Sequence, residues 1–312
     1  MTVTELAPPV DAGADLALCI GDTAQLNASG GPGYSWTPRT GLSATDIADP
    51  LAFPAGTTTY TLTVTDAQGC VASDAVTVTV NALPVVDAGA DVAICAGTTT
   101  TLGGSPTAPP GSTILWSPGA GLSDPNVGNP TAQPGATTTY IVGVQGPNGC
   151  VNSDTVTVTV NALPAVSAGN DTTICTGASV QLDGSGTGSF LWTPATGLSD
   201  ATVEDPIATP TVTITYTLTV TDANQCSASD DVTVSVGSLP TADAGPDVWV
   251  CPGFDVQLQG TGGTHYSWSP TAGLNDPTIA SPLAAPSSTT IYTLTVTDAA
   301  GCSGTDQVTV TV

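Results

Sequence analysis

Basic residues are almost missing from this sequence. Arg39 is the sole lysine or arginine in 312 residues, against 26 aspartates and glutamates, for a formal net charge of −25. A chain of that sign is repelled by phosphate backbones and anionic headgroups, so nucleic acid is excluded as a partner. Histidine is as scarce: His265 stands alone, and neither a His-based catalytic triad nor a zinc site can recur along the chain. No Asp/Glu pair is set off by the surrounding constellation that glycosidic cleavage needs, so no enzyme activity and no cofactor are expected. Apolar runs approaching the roughly 20 residues of a membrane helix are absent, which argues against direct membrane insertion of this segment. Helical periodicity is found nowhere. Charged residues make up only 9%, while Thr, Ser, Gly, Ala and Val dominate, so the chain is a hydroxyl-rich β protein and not a disordered acidic tail.

What is present is present four times. The phrase TYTLTVTDAQGC, residues 59–70, returns with small changes before Cys150, Cys226 and Cys302. A second cysteine series, Cys19, Cys95, Cys175 and Cys251, advances in steps of 76, 80 and 76 residues. Trp36, Trp116, Trp192 and Trp268 each lie 34 residues before the second cysteine of their repeat. In repeat 2 the gap from first cysteine to tryptophan grows by four, which places an insertion around Gly104 to Gly111. The proline steps Pro8, Pro84, Pro164 and Pro240 divide the chain into repeats 8–83, 84–163, 164–239 and 240–312, with residues 1–7 closing a preceding repeat. The opening TVTELAPPVDAG matches the internal junctions at 78–89 and 158–169. Anchor, export signal and any adhesive tip are therefore expected outside this segment.

Each repeat has the pattern of an all-β sandwich. Tyr60, Leu62 and Val64, then Val76, Val78 and Val80, alternate with threonines that face away. Earlier strands fall near Leu16 to Cys19, Ala24 to Ala28, Tyr34 to Thr37 and Pro50 to Phe53, separated by Gly, Pro, Ser and Asp clusters that make turns. About seven short strands per repeat is the arithmetic of an immunoglobulin-like sandwich. The four tryptophans would fill the cores, with Tyr60, Tyr140, Tyr216 and Tyr292 beside them and their hydroxyls on backbone partners. Short proline-bearing linkers such as Asn81-Ala82-Leu83-Pro84 are unlike flexible Gly/Ser tethers, so the four sandwiches are expected end to end as a rod.

The successive signatures DAGADLALCIG, SWTPRTGLS, ADPLAFPAGTTTYTLTVTD and QGC resemble the PKD-like and Ig-like tandem repeats of very large Bacteroidetes surface proteins, including gliding adhesins and other type IX-secreted filaments. The resemblance covers nearly the whole chain and implies an extracellular, cell-surface location. Repeat 2 departs from it with YIVGVQGPNGC, and repeat 3 has Gln225 where the others have glycine before cysteine.

Eight evenly spread cysteines in β-like sequence point to disulfides in an oxidising compartment. Two pairings lead, with free thiols throughout or bridges between separate chains as the remaining alternatives. Cys19 with Cys70, and so on within each repeat, is the simpler. In an Ig-like topology, however, the turn after Cys19 and the hairpin before Cys70 lie at opposite poles, too far apart for a bridge. The second scheme joins neighbouring repeats, Cys19 with Cys150, Cys95 with Cys226 and Cys175 with Cys302, leaving Cys70 and Cys251 for units beyond the chain.

The repeated aspartates are candidates for calcium at the ends of the sandwiches: Asp15, Asp91, Asp171 and Asp247 before the first cysteine, and Asp74, Asp154, Asp230 and Asp306 after the second. Strand-end and turn roles serve them equally. Trp249 has no counterpart in the other repeats and is a candidate contact. The expected function is a structural segment of an extracellular stalk or filament that projects an adhesive element, with identical chains or further repeats as partners. The alternative is an adhesin whose repeats themselves bind glycans or a partner cell.

Overall fold

The computed structural model describes residues 8–312; the segment 1–7, expected to close a preceding repeat, lies outside the described residues. The chain divides into two compact units, Met1–Asn161 and Ala162–Val312. Each unit carries two β-sandwiches of one design, so the protein is an all-β chain of four tandem Ig-like domains.

Repeat 1 shows the design. Its strands are β1 (Leu16–Cys19), β2 (Ala24–Gln25), β3 (Gly33–Thr37), β4 (Leu51–Ala52), β5 (Thr58–Thr65) and β6 (Val71–Asn81). One sheet has the order β1-β6-β5-β3, and β2 pairs with β4 in a second. Strands β6, β5 and β3 run antiparallel, whereas β1 lies parallel to β6 with Leu16 opposite Val78 and Cys19 opposite Asn81. Repeats 2 and 4 also have six strands, against the seven expected. In repeat 3 an extra ladder joins Val166–Ser167 to Ser185–Gly186; in repeats 1 and 4 it shrinks to the single bridges Asp11 with Ser29 and Asp243 with Thr261. Gly30 and Gly262 explain the shortening. Both sit at positive φ with backbone carbonyls so close that a Cβ would lie 2.1 Å from Pro9 O and 1.9 Å from Thr241 O, and such kinks end a ladder.

The period-2 pattern of β5 alternates between buried Tyr60, Leu62 and Val64 and threonines on the outer face. Together with Trp36, Leu26, Val76 and Val78 they form one core, and the other three repeats repeat it. The indole Nε1 of each tryptophan donates to a carbonyl eleven residues on: Ile47 O, Val127 O, Val203 O and Ile279 O, at 2.9–3.1 Å. Each tyrosine hydroxyl donates to a carbonyl twenty residues earlier, at Thr40, Ala120, Thr196 and Ala272. Burial pushes all four phenols above their ordinary pKa. Both kinds of ring thus fill apolar volume while their polar atoms remain bonded.

Candidate functional site: the joints between sandwiches

The repeated aspartates form a clasp in every repeat. Asp74 Oδ2 accepts the amide of Ala12 at 2.8 Å, and Asp15 Oδ1 accepts the amide of Thr77 at 2.8 Å. The same reciprocal pair recurs as Asp154 with Ala88 and Asp91 with Thr157, as Asp230 with Ala168 and Asp171 with Thr233, and as Asp306 with Ala244 and Asp247 with Thr309. The amides that approach Asp74, Asp154 and Asp306, from Ala12, Ala88 and Ala244 first and from the following residue second, hold those carboxyls below their usual pKa. These oxygens extend the parallel ladder between the first and last strands. Among the described residues no three His, Cys, Asp or Glu side chains gather as a metal cluster.

The hairpin before the second cysteine is fixed in the same manner. Asp66 Oδ1 accepts the amides of Gln68 and Cys70, and Asp222 and Asp298 repeat this for Cys226 and Cys302. Repeat 2 has Gly146 at that place, and Asn148 Oδ1 accepts the amide of Cys150 instead, at 3.1 Å.

Strand register decides where the cysteines lie. Cys19 sits opposite Asn81 at the far end of β6, whereas Cys70 directly precedes Val71 at its beginning. Ten residue steps at about 3.3 Å separate them by roughly 33 Å. The pairing of Cys19 with Cys70 is therefore wrong. Cys19 is bonded to Cys150 of repeat 2, with a Cα–Cα distance of 5.7 Å, and Cys175 to Cys302 of repeat 4, at 5.5 Å. Each bridge staples two neighbouring sandwiches within one unit. Cys95 occupies the corresponding place opposite Asn161, and Cys226 is fully buried ahead of the strand Ser227–Gly237. Cys70 and Cys251, expected in disulfides with further units, carry free thiols; Cys251 is exposed and Cys70 partly so.

The two stapled joints differ around the bridge. In the first unit Asn148 Nδ2 donates to Ala82 O of the linker at 2.9 Å, and Asn152 Nδ2 donates to Pro84 O at 2.9 Å. The insertion of repeat 2 reaches the same place: Pro109 lines a groove of about 370 Å³ with Leu83, Pro84, Gly146 and Pro147. Buried Thr107 anchors that insertion, its hydroxyl donating to Gly128 O at 2.8 Å. In the second unit the matching residues are Ala300 and Gly304. Pro240 O approaches Gly304 so closely that a Cβ there would lie 2.1 Å away, and a Cβ on Gly237 would be 3.3 Å from Cys302 Sγ. The sequence had shown neither asparagine nor glycine as a joint residue, although a comparison of repeats two places after the second cysteine sets Asn152 and Gly304 apart from Ala72 and Ala228.

Trp249 lies on the outer face of the first strand of repeat 4, opposite Thr311, and is 81% exposed. On the outer face of repeat 2, Leu115, Ile141, Gly143 and Val151 line a groove of about 660 Å³, where the equivalent strand of repeat 1 presents Thr61 and Thr63. His265 is an exposed strand residue whose Nδ1 lies 3.1 Å from Thr264 Oγ1. Among the described residues no helix is long and apolar enough to cross a membrane.

No family model and no curated protein matches the chain. Among solved structures, the N-terminal eight Ig domains of Down syndrome cell adhesion molecule align over 98% of this chain at 13% identity with a TM-score of 0.42. This chain spans 49% of that fragment. A three-Ig fragment of titin aligns over 74% of this chain and 99% of its own length, at 12% identity and a TM-score of 0.38. The insect immune protein hemolin aligns over 98% of this chain and 100% of its own length, at 14% identity and a TM-score of 0.28.

Proposed function

We propose that this chain is a structural segment of an extracellular stalk or filament, which holds an adhesive element away from a bacterial surface and associates with identical chains. The observation that carries this reading is the covalent staple between neighbouring sandwiches, Cys19 to Cys150 and Cys175 to Cys302. A bridge at the joint adds nothing to a core and fixes one domain on the next. Disulfides of this kind persist outside the cytosol, consistent with surface export of the type IX class that the repeat signatures imply. The outer faces support association of like chains: without lysines, β surfaces offer little resistance to edge or face contact once salt screens the carboxylates.

The test is electron microscopy of the purified chain, with bend angles at the two stapled joints measured before and after reduction. A narrow distribution that broadens on reduction is expected; equally broad angles in the oxidised protein would sink the stalk reading. A second reading, direct binding of a glycan or partner cell, has the repeat 2 groove and exposed Trp249 in its favour. Binding of the isolated chain to a glycan array, abolished by Trp249→Ala or Ile141→Thr, is the result that would favour it.

A further inference from the structure

The geometry points to Asn148 as a site of spontaneous deamidation that the closed first joint protects, so that the reaction irreversibly marks a joint that has opened. Asn148-Gly149 is the one Asn-Gly step in the chain. The hairpins of the other repeats have Gln68-Gly69, Asn224-Gln225 and Ala300-Gly301 at that place. Glycine matters because it leaves its own amide nitrogen unshielded. A Cβ on Gly149 would meet nothing within 4 Å, and both residues are exposed to water.

Ring closure needs the Gly149 nitrogen to reach Asn148 Cγ, and in the closed joint every group involved is engaged elsewhere. The Gly149 amide donates to Gly146 O at 2.9 Å. Asn148 Nδ2 donates to Ala82 O of the linker at 2.9 Å, and its Oδ1 accepts the Cys150 amide at 3.1 Å. Ala82 follows Asn81, the residue opposite Cys19, so the Asn148 bond and the Cys19–Cys150 bridge tie one hairpin to one strand end. Opening the bridge leaves the hairpin on the weaker tie, and the side chain can then turn to face the Gly149 nitrogen.

The reaction needs only water. The Gly149 nitrogen attacks Cγ, the Cγ–Nδ2 bond breaks, and the proton of the attacking nitrogen departs on ammonia, leaving a succinimide ring. Water then adds to either ring carbonyl and opens the ring to aspartate or isoaspartate. One water is consumed, one ammonia is released, and nothing is oxidised or reduced. Neither product restores both Asn148 contacts. Aspartate sets a carboxylate oxygen against Ala82 O, where two acceptors have no proton to share. Isoaspartate adds a carbon to the main chain and carries the Cys150 amide away from its acceptor. Repeat 2 has no reserve, since Gly146 stands where Asp66, Asp222 and Asp298 accept the cysteine amide in the other repeats. The inference rests on the closed joint alone and holds whether or not the chain serves as a stalk.

The experiment ages the purified chain in mildly alkaline buffer and follows Asn148 by peptide mapping and by labelling with an isoaspartyl methyltransferase. With the bridges intact Asn148 should stay an amide, and in Cys19→Ser with Cys150→Ser it should react at least about tenfold faster. Cys175→Ser with Cys302→Ser, which opens only the second joint, should leave the Asn148 rate at the parent value. Emission of the buried tryptophans reports whether the cores stay folded; if the first variant loses them, a mild thiol opens the bridge in the parent chain for the same comparison. Equal rates with the joint open and closed, acceleration by the second-joint variant, or no reaction at Asn148 in any form would each overturn the inference. Reduced parent chain, aged until Asn148 has reacted and then returned to a glutathione redox buffer, should reform Cys19–Cys150 about fivefold more slowly than fresh chain, and Cys175–Cys302 at the same rate. An unchanged rate for the first bridge would overturn the claim that the product marks the joint.

Discussion

In the first unit Asn148 and Asn152 hold the linker by donating to Ala82 O and Pro84 O, whereas in the second unit Ala300 and Gly304 take their places and Pro240 comes in too close for any Cβ. One disulfide per unit closes either arrangement. The difference teaches that the joint is specified by where the backbone of the hairpin lies, not by one set of side chains. Side-chain donors can bridge to the linker from a short distance, or their removal lets the linker move in. The cores show no such freedom, with the same tryptophan and tyrosine geometry in all four repeats.

The largest expected effect comes from removing one staple at a time. The bridges span 131 and 127 residues, so chain entropy assigns each about 5 kcal/mol. Cys19→Ser with Cys150→Ser should cost its unit about as much as Cys175→Ser with Cys302→Ser, as read by denaturant unfolding. Limited proteolysis should then separate the joints: the linker at Ala82 to Val85 keeps partial protection because its carbonyls stay bonded to the asparagines, and that at Ser238 to Ala242 loses it. Equal loss would mean that the asparagines contribute nothing.

Next in size is the exchange of one solution for the other. Gly304→Asn, which brings the first unit's donor into the second, should destabilise by about 1–3 kcal/mol because Pro240 O already occupies the space of its Cβ. Asn152→Gly should cost about 1–2 kcal/mol, the worth of the bond its amide donates to Pro84 O and the exposed one it accepts from the Ser153 amide. A Gly304→Asn protein as stable as the parent would show that the linker shifts freely and that the two joints are equivalent.

The smallest expected difference is none, and acid supplies it. Asp74 and Asp154 in the first unit and Asp306 in the second have folded-state pKa values below the ordinary aspartate value. Their stabilisation is complete above that value and is lost as pH falls through the depressed folded-state values. Melting temperature should be flat from neutrality to about pH 5 and fall below about pH 4, in both units together. A unit that melts earlier in acid would show that the clasp is not shared equally.

Most of the fold was legible because its signals are local and repeated: alternation in β5, one tryptophan and one tyrosine per period, and glycines at turns. The count of strands was not, since Gly30 and Gly262 reduce a ladder to single bridges through contacts with Pro9 and Thr241 that lie far off in sequence. The cysteine pairing could be narrowed from topology but not decided. It depends on the register of β1 against β6, and period-2 patterning is blind to a shift of two. The aspartates announced themselves by position. Their partners, the amides of Ala12 and Thr77 in repeat 1, became visible only when the first and last strands lay side by side. Asn152 and Gly304 went unnoticed because each occurs once at its place in the repeat, and repetition was the signal being followed.

The parallel placement of the first strand gives each unit an unusual mechanical circuit. A pull on the backbone of the first unit travels along β1 to Cys19, crosses the bridge to Cys150, and leaves through the strand Val151–Asn161. Everything between those cysteines hangs as a loop beside the covalent path and bears no load while the bridge is intact. Roughly 440 Å of contour length, 131 residues at full stretch, is thereby withheld from extension. Reduction would release that slack, so the redox state of one bond decides whether the unit behaves as a short tether or a long spring.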